Sequence, residues 1–176
     1  VLDVGVNCGY FSAAVLSRCP EGRVVCVEPA PVNLAIAQRN LRSFGSRVRF
    51  IRAAAVPRPS SEYVDLFLSH LPGRHTTVRG RIPDAAAMRV PARTLQDIVE
   101  EVLRDHGRLD LLKLDTEGTE RELLDSLTDT HLVHVGAVAA EFEGGAGDAA
   151  DRLLEAGFTV DSDGRFVWAW RAGRSG

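Results

Sequence analysis

The sequence predicts an α/β protein built on a doubly wound, mostly parallel sheet that ends in an antiparallel hairpin. Three observations predict it. Short apolar runs ending in a carboxylate recur at Val1–Asp3, Val24–Glu28 and Leu109–Asp115, as expected of strands buried on both faces whose carboxyl ends meet a ligand. Between them lie stretches with apolar residues three or four apart, the period of a helix resting one face on a sheet. The last two apolar runs, Phe158–Val160 and Phe166–Trp170, are joined by Asp161-Ser162-Asp163-Gly164, turn chemistry that calls for a hairpin.

The first strand runs out into Gly5-Val6-Asn7-Cys8-Gly9-Tyr10, the expected cofactor seat. Gly5 permits a tight turn, and Gly9 is expected to let backbone approach a ligand closely, because neither carries a Cβ. Asn7 stands where a dinucleotide fingerprint has its second glycine, which weakens the case for a pyrophosphate. Phe11, Val15 and Leu16 then recur at helical spacing, and Pro20-Glu21-Gly22 ends that helix. After the second strand Pro29 and Pro31 punctuate the turn, Pro31 suiting the first turn of a helix. Leu34, Ala37, Leu41 and Phe44 form its apolar stripe, with Gly45 as its stop.

Val48–Ile51 reads as the third strand, and Ala53-Ala54-Ala55 leads out of it with side chains small enough for a flat ring to lie alongside. Tyr63–Leu68 reads as an accessory strand. Residues 69–92, with Pro72, Gly73, Gly80, Pro83 and Pro91, read as a long irregular loop, which in a compact domain is mobile or functional. Thr94 to Asp97 has capping-box spacing, and Leu95, Ile98, Val99, Val102 and Leu103 give a helix face that stops at Gly107. A buried strand follows to Asp115, then a helix carrying Leu123, Leu124 and Leu127. A strand from Val133 to Ala140 runs into Glu141-Phe142-Glu143, and a short helix from about Asp148 to Ala156 stops at Gly157.

A chain of 176 residues with 45% hydrophobic and 26% charged residues has room for one sizeable core, so residues 1–176 are expected to form one domain. No apolar run approaches the roughly 20 residues that span a bilayer. The chain opens inside a strand without a methionine, so some native amino-terminal sequence is expected upstream. The net charge of −3 gives no reason to expect nucleic acid as a partner. Cys8, Cys19 and Cys26 lack metal-site spacing, and suggest reduced thiols in a cytoplasmic protein. Oligomeric state is not readable from the sequence.

Glu28, at the tip of the second strand, is placed to accept hydrogen bonds from a ribose diol; the plainer account is an acid favoured by a helix N-terminus. Lys113 is the only lysine. Strand alternation puts it on one face with Asp115, and a lysine in a buried strand needs a partner, for which Asp115, Glu117 and Glu141 are candidates. Those carboxylates are also oxygen ligands of the kind magnesium takes, but no spacing demands a metal and none is expected.

Asp3-Val4-Gly5-Val6-Asn7-Cys8-Gly9-Tyr10-Phe11-Ser12, Glu28-Pro29-Ala30-Pro31 with Asn33 and Asn40, Arg93-Thr94-Leu95 and the run from Asp110 to Glu120 together resemble the FkbM-type family of S-adenosylmethionine-dependent methyltransferases. The resemblance extends from residue 1 to about residue 143. It implies the seven-stranded, Rossmann-like class I methyltransferase sheet and methyl transfer to a hydroxyl of a sugar, a lipid-linked glycan or a secondary metabolite. Carried onto matching positions, Asp3, Gly5, Asn7 and Gly9, with Tyr10 beside them, would hold the methionine end of S-adenosylmethionine. Glu28, with Pro29 and Asn33, would hold the ribose, and Ala53 and Ala54 would flank the adenine. Thr119 stands where the family more often has alanine.

Methyl transfer from a sulfonium is an in-line displacement, so the protein mainly supplies alignment and a dry pocket, with a base where the acceptor is an alcohol. Asp115 is the first candidate for that base or for a cofactor contact, and His75, in Gly73-Arg74-His75-Thr76-Thr77, is the second. The other readings are a nicotinamide-dependent oxidoreductase and a methyltransferase-like nucleoside-binding module without chemistry. The oxidoreductase is disfavoured by the loop spacing and by Leu109 standing four residues before Lys113, where a Tyr-x-x-x-Lys pair would need tyrosine.

Overall fold

The computed structural model describes residues 1–58, 61–70, 74–143 and 145–172. Its elements in chain order are β1 (Leu2–Val4), α1 (Tyr10–Arg18), β2 (Val24–Val27), α2 (Pro31–Leu41), β3 (Val48–Ile51), β4 (Ala54–Val56), β5 (Tyr63–Phe67), β6 (Ala87–Thr94), α3 (Leu95–His106), β7 (Leu109–Leu114), α4 (Glu120–Ser126), α5 (Asp129–Leu132), β8 (Val135–Glu141), α6 (Asp148–Glu155), β9 (Thr159–Ser162) and β10 (Phe166–Trp170).

Seven strands form one sheet in the order β3-β2-β1-β7-β8-β10-β9. Counted within that sheet alone, the order is 3-2-1-4-5-7-6, as the family resemblance implies. β10 runs antiparallel to β8 and β9, and the remaining pairs are parallel. Alternation along β2 shows the double winding directly. Val24 and Cys26 pack with Leu16 of α1 and with Ala37 and Leu41 of α2. Val25 and Val27 face the other way, into a core with Ile98 and Val99 of α3, Leu123 and Leu124 of α4, and Leu153 of α6. The order in which strands are added reverses between β1 and β7, and ligands in such sheets bind at that switch point.

Thr94 caps α3, although only half of the capping box forms: Thr94 Oγ1 accepts the Asp97 N–H at 3.1 Å, while the Asp97 carboxylate takes the Thr94 hydroxyl at 2.5 Å rather than its backbone N–H, and α3 closes on Gly107 at φ 73°. Two expectations need correction. Residues 69–92 are not irregular throughout, because Ala87–Thr94 is the central strand of a second sheet ordered β4-β6-β5. Pro91 hid it. Proline is tolerated there because Ala92 donates to Glu62 on the β5 side, so the Pro91 nitrogen faces the other side, where β4 pairing begins only at Ala92. Pro72 and Gly73 lie outside the described residues. The second correction is at the start of β8: Val133 is 47% exposed, and the strand begins at Val135. Before it, Thr128 and His131 cap the short α5 reciprocally.

Candidate active site

At the switch point an open cleft of about 580 Å³, solvent space included, lies over the carboxyl ends of β1, β2 and β7, where sheets of this kind bind their ligands. Its floor is the glycine loop. Gly5 has φ +82°, and a Cβ there would lie 1.8 Å from the Asp115 carbonyl oxygen, so only glycine lets β1 pass beneath the end of β7. Gly5 and Val6 both donate to the Val27 carbonyl, at 3.0 and 3.1 Å. Asn7, at φ 49°, then turns its N–H onto Glu28 Oε2 at 3.0 Å, while Glu28 Oε1 accepts the Ala30 N–H at 2.9 Å.

Glu28 is therefore both a knot between two loops and a wall of the cavity. Burial pushes its pKa up, while the amides of Ala30 and Asn7 and the side chain of Asn33 act the other way. A carboxylate has about four acceptor positions, and these three bonds leave room for a further donor. Beside it Asn33 is 2% exposed. Its Oδ1 is buried without a hydrogen-bond partner among the described residues, an acceptor that a ligand hydroxyl or amine would satisfy. Opposite stand Ala53, Ala54 and Ala55, all buried, with Leu66 at 1% exposed. Pro29 completes this side.

Asp3, Gly9 and Tyr10 do not line this cavity. Asp3 is fully buried behind the loop, accepting the Ser12 hydroxyl at 2.6 Å and lying 3.1 Å from Lys113 Nζ. Parallel register places Asp3 directly beside Lys113, a partner that reading β7 alone does not reveal. Lys113 also reaches Asp115 Oδ2 at 3.3 Å and donates to the Gly5 carbonyl at 3.3 Å. Burial pulls its pKa down, but Asp3 and Asp115 more than offset this and leave it above its ordinary value. The missing Cβ of Gly9 makes room for α2, since it would meet Leu41 Cδ1 at 3.0 Å. Tyr10 is 78% exposed. Asn40 steadies the loop from outside, donating to the Cys8 carbonyl at 2.9 Å. All three cysteines are free, and burial drives the Cys26 thiol up to about 12, making it an inert packing group.

Two segments cover the opposite rim. The chain after β5 brings His75 and Thr77 to the cavity. His75 Nδ1 accepts the Ser69 N–H at 3.0 Å, so in the neutral ring the proton sits on Nε2. Burial lowers its pKa and favours that neutral form. In this tautomer His75 offers Nε2–H as a donor, and Nε2 is no proton acceptor. The turn after β7 is organised by Glu120, which sequence reasoning left without a task. Its carboxylate is 3% exposed and accepts from Thr116 N–H at 2.6 Å, the Thr116 hydroxyl at 3.0 Å and Gly118 N–H at 3.1 Å.

Asp115 borders a second depression of about 410 Å³, lined by Phe11, Lys113, Glu141, Phe166 and Trp168. Phe166 and Trp168 are 38% and 52% exposed, whereas the alternating Val167 and Ala169 are buried. Among the described residues no group of three or more His, Cys, Asp or Glu is placed to hold a metal ion. No helix there is long and apolar enough to cross a membrane.

Strand order, glycine loop and cavity define a class I methyltransferase fold. The Methyltransferase FkbM domain matches residues 3–160, and the chain belongs to that family, whose cofactor is S-adenosylmethionine. It is similar to methyltransferase sdnD of Sordaria araneosa, with 28% identity over 96% of this chain and 76% of the relative. Methyltransferase 1 of Beauveria bassiana is 28% identical over 91% of this chain and 72% of its own length. M. capricolum TrmK, in complex with S-adenosyl-homocysteine, shares the fold at a TM-score of 0.51 and 11% identity. That likeness covers 96% of this chain and 59% of TrmK. The nicotinamide reading is set aside on family membership.

Proposed function

We propose that the protein is an S-adenosylmethionine-dependent methyltransferase that methylates a hydroxyl oxygen of a small-molecule natural product or glycan. The observation that carries this reading is the pairing of Glu28 with the unpartnered Asn33 Oδ1 at the cavity wall, two buried acceptors suited to the two hydroxyls of a ribose. Ala53 and Ala54, with Leu66, would flank the adenine. Gly5 and Asn7 would present backbone to the methionine end, and Pro29 would shape the ribose side. Asp3, Gly9 and Tyr10 support or flank that loop from outside the cavity. When bound, the cofactor supplies an electrophilic methyl group on a sulfonium sulfur.

The second depression would take the acceptor, with aromatic faces for its apolar surface and Asp115 at the junction with the first cavity. Asp115 and Glu141 on its rim, with a net charge of −3, suit an uncharged hydroxylic acceptor rather than nucleic acid. In this reading residues 1–176 are one methyltransferase domain, working in the cytoplasm with its three thiols reduced. The test is incubation with methyl-labelled S-adenosylmethionine and a panel of hydroxylated metabolites and oligosaccharides. Label in an ether of one panel member supports the reading. Label only on amines, thiols or RNA supplied alongside would overturn the hydroxyl assignment.

A further inference from the structure

One carboxylate on the cavity wall has no task in the reading above. We propose that Glu117, rather than Asp115 or His75, is the catalytic carboxylate that faces the transferable methyl group and accepts the proton of the acceptor hydroxyl; the proposal rests on the methyltransferase reading. Glu117 lines the same cavity as Gly5, Asn7 and Glu28, two residues past Asp115 at the mouth of β7. Its backbone lies at φ 60°, a left-handed conformation that a non-glycine residue keeps only where its surroundings enforce it.

Here three partners enforce it. The Thr76 hydroxyl donates to the Glu117 carbonyl at 2.8 Å. Gly118 N–H is held by both Glu120 oxygens at 3.1 Å. The Arg81 guanidinium lies against Gly118, 2.7 Å from where a Cβ would stand, and is ion-paired with Glu143. Yet the carboxylate so positioned has no hydrogen bond or ion pair among the described residues. Strain at one residue, maintained by its neighbours on the wall of the cleft that Gly5, Asn7 and Glu28 also line, is the pattern of a functional group.

The two rivals are occupied. Asp115 Oδ2 is held by the Lys113 ammonium at 3.3 Å, and His75 carries its proton on the nitrogen that Ser69 leaves free. The charged groups facing Glu117 are Asp115 on its own turn, Glu120 of α4, Glu141 of β8 and Arg74 from the segment after β5. Burial first, then the three carboxylates, raise its pKa, against which Arg74 acts, leaving it better able to hold a proton than an ordinary glutamate. In the step it serves, the acceptor oxygen bonds to the methyl carbon as the carbon–sulfur bond breaks with its electron pair left on sulfur. The hydroxyl proton passes to Glu117 and then to solvent, so the sulfonium's positive charge leaves as that proton.

S-adenosylmethionine and S-adenosylhomocysteine differ by the methyl and its positive charge, so their relative affinity reads the charge beside that methyl without any acceptor. Calorimetric titrations with each ligand at pH values rising from the ordinary glutamate value of 4.5 should show the sulfonium ligand gaining on the thioether by about tenfold as Glu117 ionises, with extra proton release on binding the sulfonium. In Glu117→Gln the ratio should become flat while S-adenosylhomocysteine affinity stays within about threefold. Glu117→Asn, better suited to left-handed backbone, should behave likewise if the first variant folds poorly. Asp115→Asn and His75→Gln should keep the slope. A slope that survives in both Glu117 variants, or disappears in Asp115→Asn, overturns the proposal with the methyltransferase reading intact. Wild-type protein that binds neither ligand overturns both.

Discussion

The two depressions that meet at Asp115 are made of different material. The one over β1 and β2 is held in shape by backbone: a glycine under a carbonyl, two amides on one carboxylate, and three alanines. The one beside β8 and β10 is built from side chains, chiefly Phe11, Phe166 and Trp168, with two of these three more than a third exposed. Backbone geometry tolerates few sequences, so the first region suits a cofactor whose shape never changes. Exposed side chains can be exchanged at little cost to folding, so the second is where acceptor choice would be set.

This contrast predicts graded mutational effects. The largest is Gly5→Ala, where the new Cβ meets the Asp115 carbonyl. Thermal and urea unfolding should show a loss of about 3 kcal/mol or more, and S-adenosylhomocysteine binding should disappear. A stable, binding-competent alanine variant would show that the backbone does not dictate this cavity.

Lys113→Met comes next, because it strands the fully buried Asp3 without its ammonium. Breaking such a pair costs about 3–5 kcal/mol, and adding Asp3→Asn should recover much of it. A pH signature accompanies it. The pKa of Lys113 is raised in the folded state, so its contribution is fully present below the ordinary lysine value of 10.5 and is lost as pH rises through the folded value. Wild-type and Lys113→Met stabilities should therefore converge only in strongly alkaline urea titrations. Convergence near neutral pH would contradict the pairing.

The smallest effect belongs to Trp168→Ala. Stability should change by no more than about 0.5 kcal/mol and S-adenosylhomocysteine affinity by less than about twofold, while turnover of whichever acceptor the panel yields should fall. Loss of cofactor affinity in this variant would erase the distinction between the two regions.

The same contrast explains what could be read from the sequence. The alternation of buried strands and helices, α3 with its Thr94 cap, and the gathering of Gly5, Glu28 and the alanines at strand ends were legible because each follows from a local constraint, whereas the strand order was legible only through the family resemblance. The pairing of Asp3 with Lys113 of β7 was not legible, because it depends on a register that local pattern does not carry. At Gly9 the approach of Leu41 was equally hidden, because a glycine's freedom looks the same in sequence whether a helix or a ligand uses it. The strand β6 was masked by Pro91 and by weak alternation, with only Val90 and Thr94 buried along its eight residues. The task of Glu120 depends on a turn whose shape no spacing rule announces.

Calorimetric titration of the wild-type chain and of Glu28→Ala with S-adenosylmethionine, S-adenosylhomocysteine and NAD tests whether the Glu28 cavity is the cofactor site. Hydrogen bonds to a charged group contribute about 1.5–3 kcal/mol each, so both adenosyl ligands should bind the wild type and bind the variant about ten- to a hundredfold more weakly, with NAD failing on both. Equal affinity in wild type and variant, or a preference for NAD, would contradict it.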